Sequence, residues 1–263
     1  MLGDATKVKW VPLNAQQRFT ALQSGEVDIL SRNTTFSLTR DASLGLSMTA
    51  VTYYDGQGFM VPVKGKVTSA KQLKGATVCV QSGTTTEKNL TDYSKANNLG
   101  IKPVVFEKQE ASTGAYFSGR CQAFTTDASG MASIRAKEAK NPADHLILPE
   151  LISKEPLGPM VRRGDDEFFA VAKWVVFALP GILYGGDKAP VAISVNEKDF
   201  RKNLYTGKLL GLDKEWAARA IKATGNYGEI FERNVGPSSA LGLPRGLNNL
   251  WSKGGIQYAP PIR

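Results

Sequence analysis

A chain of 263 residues, 42% of them hydrophobic, can bury a sizeable core in one large or two modest domains. Thirty-three Lys and Arg against 24 Asp and Glu leave a formal net charge of +9, but no basic block, RNP-like aromatic run or zinc spacing accompanies it, so nucleic acid is not an expected partner. Two cysteines and one histidine cannot build a conventional Cys/His metal centre, and a Ser-His-Asp triad would depend on His145 alone.

The opening "MLGDATKVKW" lacks the basic and then apolar pattern of a leader peptide. "VKWVPL" (8–13) reads as a strand, and Asn14 can then cap a helix "AQQRFTALQS" that Gly25 stops. "VDIL" follows as a buried strand, and "TYYDGQGFMVPV" (52–63) is extended. From there strands and helices alternate: "GATVCVQSG", helix "TTTEKNLTDYSKANN", "KPVVFE", helix "ASTGAYFSG", "CQAFTTD", helix "SGMASIRAKEAKN", "HLILPE". This alternation predicts α/β layers around a largely parallel sheet. "FFAVAKWVVFAL" (168–179) carries Lys173 and falls short of the ~20 residues a span needs; apolar on nearly all sides, it reads as a buried helix. The Gly-, Pro- and aromatic-rich tail from Gly225 onward reads as a strap across the surface.

Three polar stretches carry the candidate chemistry. "NTTFSLTRD" (33–41) crowds hydroxyls, Asn33 and Arg40 after a strand, either as turn chemistry or as half of a carboxylate site. "SGEVDILSRN" and "SGRCQAFTTD" repeat one plan, a Ser-Gly helix stop followed by a short strand, and eight residues beyond each Gly stand Asn33 and Asp127. Polar groups at the carboxyl ends of strands are where ligands bind in open α/β sheets. Asp127 is either a helix N-cap or an acid able to hold an ammonium. In "VQSGTTTE", Thr84 and Glu87 fit a capping box, and the N–H groups of Gly83 to Thr86 form an alternative anion seat. Arg40, the helix start near Thr85, and Asp127 together could clamp a zwitterion, that is, a free amino acid. Cys79 and Cys121 have no CxxC partner or adjacent His; they are either buried thiols or, in an oxidising compartment, a disulfide pair. His145, between a turn and a strand, reads as a surface or strand-edge histidine.

"ALQSGEVDILSRNTTFSLTRD", "YYDGQGFMV", "VCVQSGTTTE", "SKEPLGPMVRRGDD" and "GNYGEIFERNVGP…GLNNLW…GGIQYAPPIR" resemble, in order along nearly the whole chain, the family 3 extracellular solute-binding proteins that bind general L-amino acids for polar amino-acid ABC importers. The stretch 179–204 diverges. The resemblance implies a two-lobed periplasmic-binding-protein-like α/β fold of type II. Its first lobe would come from 1–62, its second from 63–156, and 157–263 would return to the first and extend it. It implies no enzyme activity, no cofactor, a periplasmic location, an L-amino acid ligand and an inner-membrane ABC permease as partner. By resemblance Arg40 grips the ligand carboxylate and Asn33 and Thr35 contribute beside it. Thr85 bonds the carboxylate, Asp127 holds the ammonium, Arg18 faces the side chain, and Cys79 pairs with Cys121. Family members carry a leader, a strand and a helix ahead of the segment matching "LGDATKVKWVPL". Their absence predicts unpaired strand edges, altered or lost ligand binding, and a paired or domain-swapped homodimer. An enzyme of dehydratase or lyase type on the same fold is the rival reading.

Overall fold

A computed structural model describes residues 4–181, 209–213 and 215–260 of the chain. Apart from residues 179–181, the divergent stretch lies outside the described residues. The chain forms two compact units, one from Met1–Trp10, Gly45–Thr52 and Gly158–Arg263, the other from Val11–Leu44 and Tyr53–Leu157.

The second unit opens with helix α1 (Gln17–Ser24). The Asn14 side chain accepts from the Gln16 and Gln17 N–H groups at 3.0 and 2.8 Å, and Gly25 ends the helix in the left-handed region at φ +85°. Strand β1 (Ile29–Leu30) follows, while β2 (Leu46–Met48) belongs to the first unit. Next come β3 (Tyr53–Asp55), β4 (Gln57–Pro62), β5 (Thr77–Gln81), α2 (Thr85–Ala96), β6 (Lys102–Phe106), α3 (Gln109–Phe117), β7 (Ala123–Asp127), α4 (Ala128–Glu138), β8 (His145–Ile147) and β9 (Glu155–Leu157). Five strands make one sheet in the order β6-β5-β7-β4-β8. β5 runs parallel to β6 and β7, and β4 runs antiparallel to β7 and β8. The α2 and α3 crossovers produce the parallel part, as alternating elements require.

Side chains on successive strand residues point to opposite faces, and the two cores of this unit follow that period of two. Phe59 and Val61 of β4 join Val78 and Val80 of β5 and Leu90 of α2 in one cluster. Met60 and Cys79, from the same strands, join Tyr116, Phe124 and Met131 in the other. Thr86, Leu90 and Ser94 give α2 its buried stripe, four residues apart. A disulfide joins Cys79 to Cys121 with Cα atoms 5.6 Å apart; closing a 42-residue separation stabilises the unit by about 4 kcal/mol on the loop-entropy argument.

In the first unit β10 (Met160–Arg162) pairs antiparallel with β2, Met160 opposite Met48. Gly158 lets the two backbones approach, because a Cβ there would sit inside contact distance of the Ala50 carbonyl oxygen. Helices α5 (Asp166–Gly181), α6 (Trp216–Thr224) and α7 (Tyr227–Asn234) complete it. Ala178 packs with Trp216, Ala217 and Ile221.

Three expectations need correction. Residues 8–13 form no strand; Trp10 is 82% exposed, and Pro12 has no N–H for a ladder. The helix holding 168–179 is mostly half-buried, with only Ala172 and Ala178 buried among its described side chains. The tail is more than a strap. Asn226 and Glu229 form a capping box that starts α7, and Tyr227 and Phe231 are buried on one face.

Candidate functional site

Asp127 ends β7, and its carboxyl does not cap α4. That task falls to Asp55 of β3, whose Oδ2 accepts from the Ser129 N–H at 3.3 Å and from the Ser129 hydroxyl. Asp127 is thereby left to turn toward Asn33, whose Nδ2 donates to Asp127 Oδ2 at 2.7 Å. The two residues that stand eight places beyond a Ser-Gly stop are therefore bonded to each other. Gly25 and Gly119 share the left-handed conformation, at φ +85° and +82°. Burial pushes the Asp127 carboxyl up to about 7, helped by the Asp55 and Glu155 carboxylates and opposed by the Asn33 bond and Arg18. Burial also raises Asp55, against its bonds from Ser129 and Gly56.

Two buried guanidiniums, Arg18 and Arg40, feel the charge of these acids and make no ion pair among the described residues. Thr39–Ser43 winds as a π-helical turn that buries Arg40, and irregular turns of this kind recur at functional sites. Arg40 Nη1 donates to the Thr35 carbonyl at 2.9 Å, its guanidinium lies 4.9 Å from the centre of the Phe19 ring, and it has no ion pair among the described residues. Arg18 of α1 is 2% exposed. Its Nη1 donates to the Asn33 carbonyl and the Thr34 hydroxyl, each at 3.2 Å, while its buried Nε has no partner among the described residues. It too lies over Phe19, at 4.7 Å. Burial and repulsion from Arg40 and Arg32 lower the Arg18 pKa to about 9, with Asp127 opposing. Burial likewise lowers Arg40, opposed by Glu155 and Asp127.

The third part joins α2 to β9. Thr84 caps α2 by accepting from the Glu87 N–H at 3.1 Å. The reciprocal half of the expected box is displaced by one residue, since Glu87 Oε2 accepts from the Gly83 N–H at 3.1 Å. Gly83 is thus already engaged, and the expected seat is reduced to the N–H groups of Thr84, Thr85 and Thr86, which a helix leaves without internal partners. The Thr85 hydroxyl donates to Glu155 Oε2 at 3.0 Å and lies 3.2 Å from the Thr35 hydroxyl, which donates to the same oxygen. Glu155 Oε1 accepts from Asn89 Nδ2 at 2.8 Å and from the Ser153 hydroxyl at 2.6 Å.

Arg18, Asn33, Thr35, Arg40, Thr85 and Asp127 therefore stand in one unit as two hydrogen-bonded sets, Arg18–Asn33–Asp127 and Arg40–Thr35–Thr85, whose guanidiniums share the Phe19 ring. Glu155 is the residue that sequence reasoning passed over, because nothing local in "KEPLGP" marks its burial. His145 stands elsewhere, on edge strand β8, with Nδ1 2.8 Å from the Tyr116 hydroxyl and its ring edge-on to Phe117.

Two buried guanidiniums with no ion pair among the described residues thus lie in the same unit as a buried acid whose ionisation burial opposes. The chain belongs to the bacterial extracellular solute-binding proteins of family 3, whose model matches residues 1–237. It is 55% identical over 272 residues to the general L-amino acid-binding periplasmic protein AapJ of Rhizobium johnstonii, covering all of this chain and 80% of that protein. It is 52% identical over 271 residues to the glutamate/glutamine/aspartate/asparagine-binding protein BztA of Rhodobacter capsulatus, with coverage of 100% and 80%. A solved ABC transporter periplasmic binding protein from Brucella ovis with glutathione bound superimposes with a TM-score of 0.90 at 49% identity, covering 100% of this chain and 85% of that one. The fold is the type II two-lobed α/β fold expected from the sequence.

Proposed function

We propose that this chain captures polar L-amino acids in the periplasm and delivers them to an inner-membrane ABC permease. The observation that carries the reading is the pairing of Arg18 and Arg40, buried without ion pairs among the described residues, with Asp127, held near neutrality by burial. Arg40 takes the α-carboxylate through its planar fork. The first-turn N–H groups of Thr85 and Thr86 support the same carboxylate from a helix N-terminus. Asp127, steadied by Asn33, takes the α-ammonium, and that contact supplies the charge partner it lacks. Thr35 adds its hydroxyl, and Arg18 faces the ligand side chain with its Nε, which has no partner among the described residues. The names of the Rhizobium and Rhodobacter relatives fit this charge pattern.

The protein acts by binding alone. A lyase on this fold needs a general acid or base against the substrate; the one histidine is bonded to Tyr116 away from the site, and Asp127, the raised carboxyl within it, is taken up by the ligand ammonium. A thermal-shift screen of ligand-stripped protein against the twenty L-amino acids tests the reading. Ligand at a hundred times its Kd stabilises by about 2.7 kcal/mol, which is a readable rise in Tm. No rise with any of them refutes it, and turnover of any ligand refutes the binding-only role.

A further inference from the structure

We propose that Glu155 is a positioning residue that fixes the polarity of the site, holding Thr35 and Thr85 as hydrogen-bond acceptors toward the cationic end of the ligand. The inference rests on the amino-acid reading above and goes beyond it. A threonine hydroxyl has one hydrogen and two lone pairs, and a carboxylate can only accept. Thr35 Oγ1, Thr85 Oγ1 and Glu155 Oε2 form a triangle of hydrogen-bonded oxygens holding two hydrogens between them. Whether both hydroxyls donate to Glu155 or one donates to the other, both hydrogens lie inside the triangle. Each threonine oxygen then has a lone pair left to offer and no hydrogen.

That polarity separates the two ends of the ligand. The carboxylate has to be met by the Arg40 fork and the main-chain N–H groups of α2, because the hydroxyls have no proton for it. The ammonium has three hydrogens, and it finds the Asp127 carboxylate and the two threonine oxygens as acceptors. Thr85 thus serves both ends, its N–H turned to the carboxylate and its hydroxyl oxygen to the cation. Glu155 itself is 2% exposed and anchored on its far oxygen by Asn89 of α2 and Ser153. It therefore acts through the threonines and need not touch the ligand.

Calorimetry with L-glutamate and with glutarate, which is glutamate lacking the amino group, reads the polarity as a ratio of two affinities. Wild type should prefer glutamate strongly. In Glu155→Gln the amide hydrogens point at the threonine oxygens and their hydroxyl hydrogens turn outward. The expected result is weaker glutamate binding, glutarate binding held or improved, and a preference reduced about tenfold or more, the scale of a hydrogen bond to a charged group. A purely structural role would lower both affinities together and leave the ratio unchanged, and that result overturns the proposal. Melting curves establish that each variant is folded. Should Glu155→Gln fail to fold, Glu155→Asp draws the carboxylate back by one methylene and must lower the ratio in the same direction. Wild type that takes up no L-amino acid refutes the amino-acid reading and this inference with it. Wild type that binds glutamate, with an unchanged ratio in both variants, refutes this inference alone.

Discussion

Asp127→Asn separates what a buried carboxyl costs the fold from what it contributes to the site. In the unfolded chain this group ionises near 3.8, and in the fold it does not ionise until about 7. Between those values the native state holds a proton that the unfolded state has lost, so stability falls as pH rises through the window and is flat above it. At about 1.4 kcal/mol per pH unit the full cost at pH 8 is about 4 kcal/mol. Asparagine has the same shape, its oxygen still accepts from Asn33, and it never ionises. Part of the gain is returned, because the ionised Asp127 also favours the charged form of Arg18. Ligand-free Asp127→Asn should therefore match wild type near pH 4 and exceed it by about 2–4 kcal/mol at pH 8. The assay is urea unfolding followed by tryptophan fluorescence across that range, after ligand has been stripped by unfolding and refolding. A variant less stable than wild type at pH 8, or a gap that ignores pH, refutes the reasoning. The same variant should lose its amino-acid thermal shift. Wild-type affinity should also fall as pH drops below about 7, where a proton competes with the ammonium for Asp127.

Arg40→Ala should abolish the amino-acid thermal shift, and Arg40→Lys, which keeps the charge and loses the fork, should weaken binding about tenfold or more by calorimetry. A normal shift in Arg40→Ala removes Arg40 from the site. Replacing Cys79 and Cys121 by serine should cost about 4 kcal/mol in urea unfolding, and reductant should lower the wild-type Tm but leave the double variant's unchanged. Gly158→Ala should destabilise by about 1–3 kcal/mol, since the added methyl meets the Ala50 carbonyl oxygen and neither backbone can yield cheaply. An unchanged urea midpoint would show that β2 and β10 do not approach as described.

Local pattern carried the second unit a long way. Strand and helix alternation, Asn14 and Gly25 at the ends of α1, and Thr84 at the start of α2 are short-range signals, and each stands where the residues place it. The Ser-Gly echo went further and pointed to Asn33 and Asp127, now joined by a hydrogen bond across 94 residues. Glu155 was not legible, because its four donors stand at 35, 85, 89 and 153 and only the last is near in sequence. The division of labour between Asp55 and Asp127 was hidden for the same reason. An acid at the start of a helix has the sequence of a cap whether or not another strand does the capping. Residues 8–13 misled in the opposite sense, since β propensity describes fitness for a pleated surface and does not supply a neighbouring strand.

The strand order sets a timetable for assembly. β5, β6 and β7 are consecutive in the chain and adjacent in the sheet, so residues 77–127 can pair and oxidise Cys79 with Cys121 as one contiguous piece. β4 precedes them all in sequence, yet it lies between β7 and β8, and its Met60 waits for both Phe124 and Ile147. During synthesis its pairing with β8 must therefore wait while about eighty residues follow it. The hydroxyl triangle closes later still, because Glu155 lies beyond all of these strands. The cystine would thus be old by the time Thr35 and Thr85 are first held in place.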